Sequence, residues 1–320
     1  MKRLLAAMVL SLVVCSLAIS CRKEKAAEQQ LRLQLNWKPE PQFGGFYAAA
    51  AHGIFEKHGL NVTIVPGGAS APTIDMVGAG TVPFAIVSGD EIPRARAQGN
   101  DVIALFAAYQ TNPQGIMTHA SRGFTEIGDI FRHPGTLAME RGLPYSTFLE
   151  RKYGFEKLTL RPSPFGDLTM FRTDENYAMQ CFVTSEPLAA EKLGLNPRTF
   201  LIAEAGYNPY TTVLATSESF QRQNPGVVKR MVQAVREGWE AYLSDPKKTN
   251  EHMHSLNPTM DLETFRESAA AQRPLIETDE TKQHGLGVMT EQRWQTLVDQ
   301  LVELGVIPQR MDARQVFVAR

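Results

Sequence analysis

The sequence predicts a layered α/β fold, and three observations carry that expectation. Short apolar runs alternate with helical stretches through the first two thirds of the chain, beginning with the period-2 run Leu31-Arg32-Leu33-Gln34-Leu35. The ends of these runs collect polar, aromatic and glycine residues just ahead of helix starts, where α/β sheets receive small ligands. Amphipathic helices then close the chain. Val227, Val228, Met231, Val232, Val235, Trp239 and Tyr242 share one helical face, and Trp294, Leu297, Val298, Leu301 and Leu304 share another, which makes both tryptophans core residues. The 320 residues, 43% hydrophobic and 21% charged, suffice for one large domain or two small ones. A net charge of -1 with no basic run excludes a nucleic-acid partner as the governing theme.

The N-terminus reads as a targeting segment. Met1-Lys2-Arg3 is a basic start, and Leu4 to Ile19 is apolar but short for a membrane span. Its end, Leu17-Ala18-Ile19-Ser20-Cys21, resembles a bacterial lipoprotein signal. Residues 1–20 are therefore expected as a signal peptide, Cys21 as the lipidation site, and residues 21–30 as a polar tether. The mature chain would be exported and membrane-anchored, facing the periplasm or the cell exterior. With Cys21 lipidated, no intramolecular disulfide is open to Cys181, which is expected as a buried small hydrophobe.

The stretch Asn36 to Tyr47, NWKPEPQFGGFY, follows the first strand. Pro39 and Pro41 end the ladder, and Gly44-Gly45 lets the backbone approach something closely. Trp37, Gln42, Phe43 and Tyr47 thus meet in one loop ahead of an Ala-rich helix expected over 48–55. A second strand, 61–65, runs into Pro66-Gly67-Gly68 and a helix from Thr73, which presents free N–H groups. No Gly-Lys-Ser/Thr follows, so this is not a P-loop. The strand 82–87 ends in Ser88-Gly89-Asp90-Glu91 before a helix over 92–97. Another strand, 102–107, leads to Tyr109-Gln110-Thr111-Asn112-Pro113.

A second unit is expected from Ile116 to about Ala205, with helices over 124–131, 146–153 and 188–193 and strands over 136–139 and 158–161. Glu140 ends one apolar run, and Glu186 follows another, 177–183. Beyond Phe200 to Ala203 the chain reaches Tyr207-Asn208-Pro209-Tyr210, where Asn208-Pro209 echoes Asn112-Pro113. Two such connections flanking the second unit read as paired crossovers between two lobes. The chain then returns to strand at 213–216, to an N-cap and N1 pair at Asn224-Pro225, and to helices over 262–271 and 293–304.

The seven histidines form no HExxH motif and no Cys/His cluster, and no G-x-S-x-G elbow or EF-hand loop is present. Converging aromatic and polar loops describe a binder more readily than a catalyst, and neither a metal nor a cofactor is expected.

The ordered run of LNWKPEPQFGGFYAA, PGG at 66–68, SGDE at 88–91, YQTNPQG at 109–115, VTSEP at 183–187 and AGYNPYTT at 205–212 resembles the substrate-binding proteins of ABC transporters in the thiamine-pyrimidine family, a group that also contains yeast pyrimidine synthase. The resemblance covers residues 31–271. It implies a two-lobed, type II periplasmic-binding-protein-like fold with the ligand between the lobes: 31–115 plus 208–320 in lobe 1 and 116–207 in lobe 2. It implies Asn36 and Trp37 in the ligand site, Trp37 stacking on a flat ring, Glu186 accepting ring N–H or amino groups, and Tyr207 and Tyr210 closing from the other side. Phe43, Tyr47, Ser88, Asp90 and Glu140 complete the candidates. The cargo implied is a thiamine-precursor pyrimidine of hydroxymethylpyrimidine or formylaminopyrimidine type, with riboflavin or a sulfonate as alternatives. The partners implied are an ABC permease and its ATPase, and a monomer is the default for the class. A pyrimidine-synthesis enzyme and a sensor lobe are the remaining readings. The first loses support because Phe43 stands where the yeast enzyme has a histidine and its cysteine-rich stretch has no counterpart.

Overall fold

The computed structural model describes residues 30–69 and 71–319, so the expected signal peptide, Cys21 and nearly all of the expected tether lie outside the described residues. Among the described residues, ten strands form two five-stranded sheets. They are β1 (Gln30–Gln34), β2 (Asn61–Val65), β3 (Phe84–Val87), β4 (Val102–Tyr109), β5 (Gln114–His119), β6 (Gly135–Ala138), β7 (Leu158–Arg161), β8 (Tyr177–Phe182), β9 (Pro197–Leu201) and β10 (Thr211–Ser217). The first sheet has the order β2-β1-β3-β10-β4 and the second β7-β6-β8-β5-β9. Both follow one plan: three parallel strands, then an antiparallel strand, then an edge strand. In the first sheet the antiparallel member is β10, paired with β3 and β4. In the second it is β5, paired with β8 and β9. The chain thus passes between the sheets twice, at 110–113 and at 202–210.

Alternation along β3 shows how the first lobe is filled on both faces. Phe84 and Ile86 pack with the apolar stripe of the helix Pro225–Ser244, where Trp239 is fully buried. Ala85 and Val87 face the opposite way, into the core that includes Trp294 of the helix Glu291–Glu303. Cys181 on β8 is buried with Met179, Phe171 and Ala190 under the second sheet, and burial pushes its thiol pKa up.

Several local expectations are corrected. Gly44 and Gly45 do approach something closely, but it is the helix Pro225–Ser244. A Cβ on Gly44 would lie 2.0 Å from the Tyr242 ring, and one on Gly45 would lie 2.2 Å from the Trp239 ring. The helix they open runs Gly44–Ala51, earlier than expected, and is separated from Ile54–Lys57 by Gly53 at φ 67°. Asn224 does precede Pro225 at N1, yet its side chain does not cap the helix; its amide donates to Phe220 O at 3.3 Å. The polar segment Lys247–Leu256 is a further helix without a strong sequence signal, and it buries Thr249, Asn250 and Met253. No described helix is long and apolar enough to cross a membrane.

Candidate ligand-binding cleft

Between the two sheets lies a cavity of about 410 Å³, lined from both lobes. That volume is in the range of small-molecule sites. The first sheet contributes the end of β1, with Asn36 and Trp37, and the end of β3, with Ser88 and Asp90. The second contributes Glu140 beyond β6, Gln180 and Phe182 on β8, and Glu186 at the start of the helix Glu186–Lys192. The crossover adds Tyr207 and Pro209. At Asn36, Trp37, Ser88, Asp90 and Glu140 a strand has stopped and the next residues turn toward the gap, free of the ladder, whereas Gln180 and Phe182 project from β8 itself.

Of the residues singled out from sequence, Asn36, Trp37, Ser88, Asp90, Glu140, Glu186 and Tyr207 line the cavity. Phe43, Tyr47 and Tyr210 do not. Phe43 is 1% exposed and packs in the core with the helix Pro225–Ser244. Tyr47 is buried on the inner face of its helix with its ring edge-on to His252 at 5.9 Å, so its hydroxyl never reaches the cleft. Tyr210 is a brace: its hydroxyl accepts from the Thr290 N–H at 3.1 Å, and the Arg293 guanidinium lies 3.9 Å from its ring centroid. In the Pro66-Gly67-Gly68 turn, Gly67 packs on the end of β1, where its N–H donates to Trp37 O at 3.0 Å. The neighbouring Gly68 and Ala69 do line the cavity.

Sequence reasoning did not single out Glu40, Arg94, Asn112, Gln180 or Phe165 as site residues, and all five line the cavity. Glu40 sits in the loop between two prolines and accepts from the Trp37 indole N–H at 3.1 Å, which fixes the ring. Asp90 accepts from the Tyr207 hydroxyl at 2.8 Å. Glu91, at the start of the helix Glu91–Ala97, accepts from the Ser88 N–H at 2.7 Å. Glu186 accepts from the Phe182 N–H at 2.8 Å, and Glu140 from the Gln180 amide at 3.2 Å.

The electrostatic balance is one-sided. Five carboxylates, Glu40, Asp90, Glu91, Glu140 and Glu186, line the cavity against one cation, Arg94. Among the described residues none of the five has a cationic partner at salt-bridge distance. Burial pushes the Glu40 pKa up to about 7, and the negative charge of Glu186 on the opposite lobe adds to the rise. Burial likewise raises Glu91 to about 7 and moves Glu186 upward. The carboxylates are spread around the cavity, and no group of three metal-ligating side chains is gathered among the described residues. The arrangement offers strong hydrogen-bond acceptors and aromatic faces to a ligand rich in donors.

Two lobes of this strand order around a cleft are the periplasmic-binding-protein fold. The chain belongs to the NMT1/THI5-like family, whose model matches residues 40–249. It is similar to the riboflavin-binding protein RibY of Chloroflexus aurantiacus, at 23% identity over 304 residues, 90% of this chain and 85% of the relative. Among solved structures it superposes on the periplasmic aliphatic sulphonate-binding protein SsuA of Escherichia coli with a TM-score of 0.68 at 14% identity, covering 91% of this chain and 92% of that one. The periplasmic nitrate-binding protein NrtA of Synechocystis PCC 6803 gives a TM-score of 0.66 at 12% identity, over 90% and 86% of the two chains.

Proposed function

We propose that the chain is the solute-binding component of an ABC importer, capturing a small planar heteroaromatic compound and presenting it to a permease and its ATPase. The observation that carries this is the cavity itself, which joins a pinned indole face to five unpaired carboxylates. A flat ring with amino, N–H or hydroxyl groups satisfies both. A thiamine-precursor pyrimidine of hydroxymethyl or formylamino type meets these needs and is the first candidate. A second reading, a flavin, is supported by the riboflavin-binding relative; its polyol chain would also supply donors to carboxylates. A sulfonate is disfavoured, because an anion would be desolvated among like charges.

On this reading residues 31–115 with 208–320 form one lobe and 116–207 the other, hinged where the chain crosses between sheets. The Asn112 N–H donates to the Asn208 side chain at 2.9 Å, so the two crossovers would turn together. Ligand contacts from both lobes would favour closure. Lipidation of Cys21 would hold the monomer at the membrane, facing the periplasm or the cell exterior.

The test is a thermal-shift and calorimetric screen with 4-amino-5-hydroxymethyl-2-methylpyrimidine, its formylamino analogue, thiamine, riboflavin and taurine. A ligand at a hundred times its Kd adds ~2.7 kcal/mol of stability. A pyrimidine hit names the cargo, a flavin hit moves it to the second reading, and a taurine hit overturns the charge argument. A protein that binds none of the ring compounds refutes the proposal.

A further inference from the structure

Phe165 lines the cavity, and the proposed function so far leaves it unused. It belongs to the second lobe, on the link between β7 and the short helix Thr169–Thr173. Its side chain is 52% exposed, although the residue is large and apolar. Its backbone is at φ 48°, in the left-handed region that residues with a Cβ avoid. Two of the three non-glycine residues at positive φ among the described residues, Phe165 and Thr212, line this cavity. Strained conformations of this kind persist where the site needs the side chain aimed. The aim is across the cleft: the Phe165 ring faces Trp37 of the other lobe, with centroids 6.3 Å apart and planes 29° from parallel.

That spacing carries the inference. A flat ring sandwiched between two others needs roughly 7 Å, twice a van der Waals spacing of ~3.5 Å. The gap is short of this by under ~1 Å, a movement that a loop or a small hinge rotation supplies. The Trp37 plate is already fixed, since its indole N–H is held by Glu40 at 3.1 Å. The same bond sets the Glu40 carboxylate at the edge of the plate, with one oxygen left for a ligand.

We propose that Trp37 and Phe165 are the two plates of one subsite, which takes a flat heteroaromatic ring with N–H or amino donors on the edge nearest Glu40. Phe165 is then a specificity-determining residue that demands planarity, and the inserted ring is what ties one lobe to the other. This rests on the solute-binding reading above and deepens it.

The experiment uses the full chain in detergent, titrated with riboflavin, thiamine and 4-amino-5-hydroxymethyl-2-methylpyrimidine. Phe165→Ala should weaken the best-bound ring by roughly tenfold at an unchanged melting temperature, because the side chain is exposed. Phe165→Leu, equally apolar but without a flat face, should behave like alanine, and Phe165→Tyr should stay within about threefold of the wild type. A ligand-free readout is available, because Trp239 and Trp294 are fully buried and Trp37 is not. Acrylamide quenching therefore reports on Trp37 and should rise in Phe165→Ala. If a ring binds Phe165→Ala with wild-type affinity, the plate is refuted while the solute-binding reading stands. Unchanged quenching in that variant also refutes it. If no ring binds the wild type, both are overturned.

Discussion

Along their outer seam the lobes are joined by charges that have partners. Lys192, ending the helix Glu186–Lys192 of the second lobe, reaches Asp261 at 3.0 Å, Glu267 at 3.3 Å and the Thr264 hydroxyl at 2.6 Å, all on the first lobe. Along the inner seam, the cleft, Glu40 and Glu186 oppose each other from the two lobes, and among the described residues neither has a cationic partner at salt-bridge distance. The residue types are the same and the arrangement is reversed. A paired, half-exposed charge contributes little and costs little. A largely buried carboxylate without a cationic partner costs stability in the empty protein, a cost that donors from a ligand would offset. The difference separates charges neutralised across the outer seam from charges that, on the proposed reading, are left for a ligand to satisfy.

The largest expected effect that sharpens this contrast is at Glu186. Glu186→Gln keeps an acceptor for the Phe182 N–H but removes the charge. A hydrogen bond to a charged group contributes ~1.5–3 kcal/mol, so ligand affinity should fall roughly 10- to 100-fold. The ligand-free melting temperature should hold or rise, since a repulsive partner of Glu40 is gone. Calorimetry and a melt on one preparation check both halves. Lost affinity with a lower melting temperature would make Glu186 a structural residue instead.

The next effect is on pH. Glu40 and Glu91 are raised from 4.5 to about 7 in the folded protein. Between those values the folded chain holds protons that the unfolded chain has released, so stability falls as pH rises. Their contribution is complete below 4.5 and lost as pH passes 7. The empty protein should therefore melt higher at pH 5 than at pH 8, and Glu91→Gln should flatten the profile. Carboxylates held low, such as Asp129 and Asp261, act only at more acidic pH. A melting temperature that climbs steadily from pH 5 to 8 would contradict the assignment.

The smallest effect is expected at the outer seam. Lys192→Ala should cost ~0–1 kcal/mol, and the loss should shrink in high salt. A loss of several kcal/mol in a salt-independent melt would show that the seam holds the lobes by something other than exposed pairing.

What the sequence made legible was local. Strand ends ahead of helix starts are visible as composition changes, and Trp37, Asp90, Glu140 and Glu186 all occupy such ends. Contacts between distant segments were not legible. Gly44-Gly45 advertised a close approach without saying that Trp239 and Tyr242, some two hundred residues later, would fill it. For the same reason Phe43 and Tyr47, a few residues beyond Trp37, read as site residues and are buried in the core of the first lobe. Phe165 sits in Pro-Ser-Pro-Phe-Gly, where no periodicity says which way a side chain points. Only the opposing lobe gives it meaning.

The insertion of β10 also governs the order in which the chain can fold. Strands β5 to β9 lie within one continuous stretch, 114–201, so the second sheet can assemble as soon as that stretch exists. The first sheet cannot. β3 and β4 are not neighbours, and each waits for β10 to slide in between them, more than a hundred residues after β4 begins. A chain emerging from its N-terminus therefore presents its first strands with unpaired edges until the later half has caught up. Such distant pairing slows the approach to the native state. The lobe that begins first is the one that finishes last.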